Sequence, residues 1–253
     1  MGTAPTNTDP GRGSPPSLII TDGGLGGLLA AWAEGVCAPA DGAGPGPVLW
    51  FAWAGVMGLG EAAAGARLAA ARRQAELCHA SDLVVSEAGA DGVAGVDGEA
   101  VGEGLVTTHL LLAAAAEAAR RGFRRVVWPV HLGGAADREA IDLHAVADAC
   151  DRALLVGQLM AIDLRGGREV RIETPYVDFT DVQMAELALD LDVPRPVGVG
   201  ASWCETGEAA PRGCACAACR RWEAAFLAAG GNVGVDAVGG TVTIGARGGA
   251  ACV

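Results

Sequence analysis

The sequence predicts an α/β fold in which helices cover both faces of a parallel β-sheet. Short apolar segments alternate with helical segments of ten or more residues along most of the chain. Segments that are apolar throughout are typical of strands buried on both faces, as in parallel sheets. A chain of 253 residues with 51% hydrophobic residues can enclose such a core.

The predicted elements follow from the hydrophobic pattern and from turn residues. A strand at Ser17–Thr21 leads through the glycine-rich turn DGGLGG into the first helix, LLAAWAEGV. Further strands are predicted at Pro47–Trp53, Asp82–Val85, Arg125–Val130 and Val170–Thr174. Further helices are predicted at about Glu61–Ala80, Leu105–Arg121, Arg138–Cys150 and Thr180–Leu191.

Charge and leader sequence limit the expected partners and location. The formal net charge is −12, and the chain contains no lysine. Neutralising nucleic-acid phosphates requires an excess of basic side chains, so we expect no nucleic-acid partner. The basic runs at Arg120–Arg125 and Arg220–Arg221 are interpreted as solvated helix ends. Without a secretory signal or a long apolar run, the chain is expected to be cytoplasmic and to have no membrane partner.

Four cysteines near the C-terminus have the density of a metal site. Cys204, Cys214, Cys216 and Cys219 have the spacing C-x9-C-x-C-x2-C in the segment SWCETGEAAPRGCACAACRRWEAAF. Four thiolates suit tetrahedral zinc, and a reducing cytoplasm favours a metal over disulfides. A redox or disulfide cluster and buried core thiols remain as alternatives. Iron and sulfur would be recognised by a brown colour.

The turn DGGLGG follows the first strand, and open parallel sheets bind ligands beyond the carboxyl ends of their strands. Asp22, Gly23, Gly24, Gly26 and Gly27 are therefore candidate cofactor-binding residues. Glycines let backbone amides approach phosphate oxygens at the start of a helix. A tight strand-to-helix connection is the alternative interpretation of the same turn.

Three features together resemble the 7-cyano-7-deazaguanine synthase family of queuosine biosynthesis. They are the initial strand, DGGLGG and helix, the segment IETPYVDFTDVQMAELALDLDVP, and the cysteine loop that runs into RRWEAAF. The resemblance covers most of Ser17–Gly231. It implies a Rossmann-like sheet of the PP-loop type, with the adenine nucleotide alpha-hydrolase-like fold, and a C-terminal zinc site. It also implies a ligase that uses ATP and magnesium to turn 7-carboxy-7-deazaguanine and ammonia into the nitrile.

With this resemblance the chain divides into four parts. Residues 1–16 are predicted to be a disordered leader, and residues 17–200 a Rossmann-like domain of the PP-loop type. Residues 201–231 are predicted to form a zinc-binding loop and helix packed on that domain. Residues 232–253 are predicted to be a tail or hairpin.

The sequence departs from the family where its chemistry would occur. The family's phosphate loop reads S-G-G-x-D-S, whereas residues 22–27 read DGGLGG and lack both serines and the internal aspartate. The family's D-Y-G-Q and P-G-R-N segments correspond to residues 52–56 (AWAGV) and 102–105 (GEGL). Asp181 stands at the lysine of the family's L-T-K-A-E stretch, and Gly213 stands at its second cysteine.

An aspartate at the phosphate position should weaken anion binding. A carboxylate about 4 Å from a phosphate costs about 4 kcal/mol per unit charge at an effective dielectric near 20. A helix N-terminus returns only about 0.3–1 kcal/mol. Asp22 is therefore expected to repel phosphate unless it holds a magnesium ion.

These departures predict a zinc-containing pseudoenzyme that has lost ordinary ATP-dependent catalysis. It would bind a purine-like small molecule or a protein partner, and it could form a homodimer. One alternative is an active ATP-dependent ligase that converts 7-carboxy-7-deazaguanine, or a similar carboxylate, with ammonia to a nitrile or amide. In that alternative Asp22 and magnesium form a remodelled phosphate site. A second alternative is a non-catalytic interaction subunit of an active homologue.

Aromatic and histidine side chains supply the remaining candidates. Aromatic rings could stack on a purine-like ring, although they more often fill cores; they are Trp50, Trp53, Trp128, Trp203 and Trp222. The histidines are interpreted as surface or helix-end residues; they are His79, His109, His131 and His144. His144 with Asp142 or Asp148 is a further candidate acid–base pair, to be judged by its geometry.

Overall fold

The computed structural model describes residues 16–36, 46–52, 61–86, 103–133, 141–164, 169–193 and 217–230. The strands are β1 (Leu18–Thr21), β2 (Val48–Ala52), β3 (Asp82–Ser86), β4 (Arg125–Val127) and β5 (Arg171–Glu173). The helices in these ranges are α1 (Leu25–Val36), α2 (Glu61–Leu77), α3 (Glu103–Arg120), α4 (Leu143–Asp163), α5 (Asp181–Asp190) and α6 (Ala217–Ala228).

The five strands form one sheet in the order β3-β2-β1-β4-β5. Every neighbouring pair is parallel. The chain adds β2 and β3 on one side of β1 and then returns to add β4 and β5 on the other. The predicted α/β class, with a Rossmann-like parallel sheet, is therefore confirmed. The strand order reverses between β1 and β4, which is where open sheets of this kind form a crevice.

Alternating side chains of the central strands pack on two helical layers. On one face, Leu18 and Ile20 of β1 pack in a cluster with residues of α3 and α4. On the other face, Ile19 packs with residues of α1, α5 and α6. Phe51 of β2 packs with Leu68 of α2. Because both faces of the sheet are covered, β1 and β2 are buried along their whole length.

The helix predicted at Arg138–Cys150 is wrong at its C-terminal end. Helix α4 begins later, at Leu143, and extends to Asp163. It begins where Asp142 caps it, accepting hydrogen bonds from the backbone amides of His144 and Ala145. It continues beyond Cys150 because side chains such as Val156 and Met160 are buried against the sheet. Strand β4 ends at Val127 instead of Val130, before Pro129, which has no amide to donate to a neighbouring strand.

Helix α5 begins with a capping box, in which the Thr180 side chain accepts from the amide of Gln183 and the Gln183 side chain accepts from the amide of Thr180. In the part of the chain that the structure describes, no helix is both long and apolar enough to cross a membrane. The predicted tail, and the predicted leader apart from Pro16, lie outside the described residues.

Candidate functional site

A cleft of about 390 Å³ lies at the carboxyl ends of β1 and β4, where the strand order reverses. One wall is the glycine turn, which we define as residues 22–27 between β1 and α1. A second wall is residues 128–131, which follow β4. The ends of β1 and β2 also line the cleft, as do Arg67 of α2, Leu110 of α3 and Trp222 of α6. The cleft thus lies where the sequence predicted a binding site from DGGLGG.

Two glycines of the turn are required by close packing. Gly23 has a φ angle of +80°, and a Cβ there would lie 2.3 Å from the carbonyl oxygen of Arg67. A Cβ on Gly27 would lie 2.3 Å from Oγ1 of Thr21. These distances are far below van der Waals contact. The glycines therefore let α1 start directly against the end of β1 and the side of α2.

A buried glutamine on α2 supports the turn from beneath. The amide Nε2 of Gln74 donates to the carbonyl oxygens of Gly23 at 2.7 Å and Gly24 at 3.0 Å. Its Oε1 accepts from the hydroxyl of Thr21 at 3.0 Å. Gln74 is 1% exposed, so these bonds are sheltered from water. One side chain therefore fixes both the end of β1 and the backbone of the glycine turn.

Asp22 folds back onto the turn instead of extending into solvent. Its Oδ1 accepts a hydrogen bond from the amide of Gly24 at 2.7 Å. Its Oδ2 accepts from Nη1 of Arg67 at 2.5 Å, and both side chains are partly exposed. The amide of Gly23 donates to Oγ1 of Thr21 at 3.0 Å. Two amides of the turn thus donate to side chains of the protein itself, and the charge of Asp22 is offset by Arg67.

The first turn of α1 also borders the cleft, through Leu25, Gly26 and Gly27. Amides at the start of a helix have no partners within it, and the helix dipole places partial positive charge there. The cleft therefore combines this positive end with an aspartate–arginine pair.

Part of the cleft lining is aromatic. Trp128, His131 and Trp222 all line it. The ring centroids of His131 and Trp222 are 5.8 Å apart, with the planes tilted by 37°. Burial lowers the pKa of His131, and the nearby Asp181 carboxylate opposes that shift. Nε2 of His131 lies 3.2 Å from Oδ1 of Asp181, without the geometry of a hydrogen bond. At neutral pH this part therefore offers flat, uncharged rings.

Helix α6, which supplies Trp222, is held in place by an ion pair whose carboxylate is buried. Asp181 has no exposed surface, and Arg221 donates to its two carboxylate oxygens at 2.5 and 2.6 Å. Nη2 of Arg221 also donates to the carbonyl oxygen of Gly133 at 2.9 Å. The hydrogen bonds with Asp181 raise the pKa of Arg221, so this guanidinium stays charged.

These contacts correct two predictions. Asp181 was expected to place a negative charge at the position of a phosphate-binding lysine. It instead lies outside the lining of the cleft, with its charge paired to Arg221. Arg221 itself was expected to be a solvated helix end and is a structural ion-pair partner. The sequence could not show this, because the two residues are 40 positions apart.

The predicted zinc ligands lie mostly outside the described residues. Cys219 is in the first turn of α6 and is half-buried, whereas Cys204, Cys214 and Cys216 are not described. In the described ranges no group of three or more histidine, cysteine, aspartate and glutamate side chains could hold a metal ion. The four thiolates suit zinc by their chemistry. The zinc site therefore stays a prediction.

The remaining candidates divide between core, cap and cleft. Trp50 is buried in the core. The Asp142 carboxylate caps α4 by accepting from the backbone amide of His144, so Asp142 does not form the proposed acid–base pair with the His144 side chain. Among the other cysteines, Cys150 is exposed, while burial raises the pKa of Cys78 to about 11. Trp53, Trp203, Cys37 and Cys252 lie outside the described residues.

Sequence interpretation missed two residues of the cleft lining, Arg67 and His131, and the buried Gln74 beneath the glycine turn. Arg67 and Gln74 lie inside the alanine-rich helix α2, where no local motif distinguishes them from solvated polar residues. His131 was assigned to the surface. Because it follows a buried strand closely, its sequence position indicated the carboxyl edge of the sheet, where ligands bind.

No protein-family model matches this chain, and no curated protein matches it.

Proposed function

We propose that this chain binds a planar, purine-like molecule that lacks phosphate groups, in the cleft between β1 and β4. We further propose that it is a pseudoenzyme relative of the 7-cyano-7-deazaguanine synthases with a PP-loop type of fold. The observation that carries the proposal is the hydrogen bond from the Gly24 amide to the Asp22 carboxylate.

That hydrogen bond matters because a carboxylate imitates a phosphate oxygen. Anion-binding turns hold phosphates with consecutive backbone amides at the start of a helix. Here the amides of Gly23 and Gly24 are already bonded to Thr21 and Asp22. A phosphate would have to displace the Asp22 side chain and also separate it from Arg67. It would then lie beside a negative charge, at a cost of about 4 kcal/mol at 4 Å.

The shape of the cleft supports a ring rather than a chain of phosphates. Trp128, His131 and Trp222 provide stacking surfaces, and Leu25 and Leu110 provide apolar surface. Sites of about 300–1,000 Å³ with such linings are typical of small-molecule pockets. The exposed parts of Asp22 and Arg67 would then serve as hydrogen-bonding groups at the rim.

Zinc is proposed as a structural component beside this cleft. Cys219 lies three residues before Trp222 in the sequence and two before Arg221, both on α6. A tetrathiolate zinc site that includes Cys219 would fix the first turn of the helix that supplies Trp222. When bound, zinc in such a closed thiolate site contributes folding energy.

One observation favours the alternative of an active ATP-dependent enzyme. Arg67 brings a cation to the cleft beside the first turn of α1, and such a group could accompany a phosphate. Both oxygens of Asp22 are engaged by protein groups, however, which leaves this carboxylate poorly placed to ligate magnesium.

Titration calorimetry with Mg-ATP and with inorganic pyrophosphate tests the proposal on the wild-type protein and on Asp22→Ser. We expect no heat of binding for the wild type, because Asp22 occupies the turn. Asp22→Ser frees the Gly24 amide and Arg67, so we expect it to gain measurable binding of inorganic pyrophosphate. Micromolar binding of Mg-ATP by the wild type would contradict the proposal.

A second titration tests the aromatic part of the lining. Guanine, adenine and 7-deazaguanine are added while tryptophan fluorescence is followed. We expect quenching by at least one of these bases, and at least tenfold weaker binding to Trp222→Leu. Trp50→Phe is the matched control, because Trp50 is buried in the core, away from the cleft. Equal affinities of Trp222→Leu and wild type would exclude stacking on Trp222.

A further inference from the structure

His131 borders the cleft with one of its two ring nitrogens buried. The side chain is 12% exposed and lines the cleft. Its Nε2 is buried and has no hydrogen-bond partner among the described residues. Oδ1 of Asp181, a residue outside the lining, lies 3.2 Å from Nε2. A ligand in the cleft therefore reaches this ring through Nδ1 or through a face of the ring.

The Asp181 carboxylate decides which ring nitrogen carries the proton. Asp181 has no exposed surface, and hydrogen bonds from Arg221 to both of its oxygens keep it in place. An Nε2 without a proton would place a second negative partial charge 3.2 Å from a carboxylate oxygen, in a position sheltered from water. A protonated Nε2 places positive partial charge there instead. The proton of the neutral ring therefore stays on Nε2, and Nδ1 is the acceptor.

The ring is neutral at neutral pH. Burial lowers the pKa of His131, the Asp181 carboxylate raises it, and the Arg221 guanidinium lowers it, with a net shift below the ordinary value of 6.5. A neutral imidazole has one donor nitrogen and one acceptor nitrogen. In the part of the chain that the structure describes, no hydrogen bond engages the His131 ring. Nδ1 is therefore an acceptor that a ligand can use.

We infer that Nδ1 of His131 accepts a hydrogen bond from a ring N–H of the ligand, so that the cleft selects planar N-heterocycles that carry this donor. The inference rests on the proposed function, because it requires a flat ring in the cleft. The ring centroids of His131 and Trp222 are 5.8 Å apart, so a ligand in contact with Trp222 also lies beside His131. Asp181 is then a positioning residue that fixes the tautomer.

The other polar side chains of the cleft do not supply the same selection. Each oxygen of Asp22 is already engaged, one by the Gly24 amide and one by Arg67. Arg67 carries donors only. A ligand without a ring N–H would cover Nδ1 and leave it unpaired, and sites built to hydrogen-bond a group strongly reject analogues that lack it.

Nitrogen-15 NMR of the labelled wild-type protein tests the tautomer without any ligand. The chain has four histidines, and the ring signals of His131 are those that disappear in His131→Gln. At about pH 7.5, above the ordinary histidine pKa, we expect a proton on Nε2 and none on Nδ1. A ring that is protonated on Nδ1 would overturn the inference.

A pair of probes tests the hydrogen bond itself. Benzimidazole is a flat bicyclic ring with a single N–H, and 1-methylbenzimidazole is the same ring without it. Binding is followed through the indole N–H signals of the tryptophans at the same pH. We expect the wild type to bind the methylated probe about tenfold more weakly, which corresponds to one lost hydrogen bond. His131→Phe keeps a flat ring beside Trp222 but has no acceptor, so it should bind both probes equally.

The outcomes separate this inference from the proposed function. Equal binding of both probes by the wild type would overturn the inference and leave the binding of flat rings intact. A preference that persists in His131→Phe would also overturn it, because the methyl group would then clash elsewhere in the cleft. Binding of neither probe would contradict the proposed function together with the inference. If His131→Phe fails to fold, the tautomer and the two wild-type affinities still decide the result.

Discussion

Arg221 and Asp181 form a two-point ion pair in which the carboxylate has no exposed surface. The same guanidinium donates to the carbonyl oxygen of Gly133. One arginine therefore joins α6, the first turn of α5 and the segment that follows β4. Trp222, the next residue, lines the cleft. The position of Trp222 in the cleft thus depends on the adjacent ion pair between Arg221 and Asp181.

Replacing Arg221 by methionine should destabilise the protein strongly. The change leaves the Asp181 carboxylate buried without its partner, and breaking a fully buried pair costs about 3–5 kcal/mol. Because the Arg221 side chain is 43% exposed and partly screened by water, we expect about 2–3 kcal/mol. Urea unfolding measures the loss. Asp181→Leu combined with Arg221→Met should cost less than the sum of the two single changes.

The control for this experiment is Arg120→Met. Arg120 pairs with Glu117 on the surface of α3, with 67% of its side chain exposed. The hydrogen bond with Arg120 lowers the pKa of Glu117 to about 2, yet such exposed pairs contribute little to stability. We expect no measurable change in the urea midpoint. An equal loss in both arginine variants would mean that the burial of Asp181 is unimportant.

Gln74→Leu should loosen the glycine turn as well as destabilise the fold. The leucine removes the donor to the Gly23 and Gly24 carbonyls and the acceptor for Thr21. Buried groups left without partners cost about 1–3 kcal/mol each, so we expect a total of about 3 kcal/mol. Hydrogen exchange at the Gly23 and Gly24 amides should become faster. Glu76→Leu, an exposed site on the same helix, should leave both measurements unchanged.

His131 should make stability depend on pH. Burial lowers its folded pKa below the ordinary value of 6.5, with Asp181, Arg221 and Trp222 around the ring. As the pH falls, the unfolded chain therefore binds a proton first. The contribution of His131 to the free energy of unfolding is complete above about pH 6.5 and decreases as the pH falls toward the folded pKa.

Urea unfolding at about pH 7.5 and pH 5 measures this effect, since that window spans the ordinary histidine pKa. Acidification should destabilise the wild type more than His131→Gln. Identical pH slopes for wild type and His131→Gln would show that His131 does not titrate differently in the folded protein.

The sheet and the position of the cleft could be predicted because their signals are local. Apolar segments such as Pro47–Trp53 can only be buried strands or short buried helices, and DGGLGG identifies the turn at the carboxyl end of β1. The strand order was not predicted, because pairing β1 with β4 depends on contacts between distant segments. Tertiary burial also extended α4 beyond the range that its sequence pattern suggested.

The chemistry of the cleft could not be predicted in the same way. Asp22 was correctly placed in the turn, but its charge was treated as isolated because Arg67 lies 45 residues away. Gln74 is 53 residues from Thr21 and gives no local signal. Such pairs follow from the packing of α2 against β1. The three cysteines at positions 204, 214 and 216 lie outside the described residues, so the zinc prediction still rests on the sequence alone.

Gly27→Ala should destabilise the protein even though alanine forms helices more readily than glycine. The new Cβ would lie 2.3 Å from Oγ1 and 2.8 Å from Cβ of Thr21. Thr21 cannot move away easily, because its hydroxyl is bonded to Gln74 and to the Gly23 amide. Forced overpacking typically costs about 1–3 kcal/mol, which exceeds the gain of about 1 kcal/mol from helix propensity. Thermal and urea unfolding should both show the net loss.

Gly65→Ala is the matched control for this change. Gly65 also lies within a helix, but a Cβ there would meet nothing within 4 Å. The propensity gain then acts alone, so we expect stabilisation of up to about 1 kcal/mol. Gly27→Ala should cost less in a Thr21→Gly background than in the wild type, because Thr21→Gly removes both nearby side-chain atoms. If Gly27→Ala stabilised the protein as much as Gly65→Ala, this result would contradict the close contact between α1 and β1.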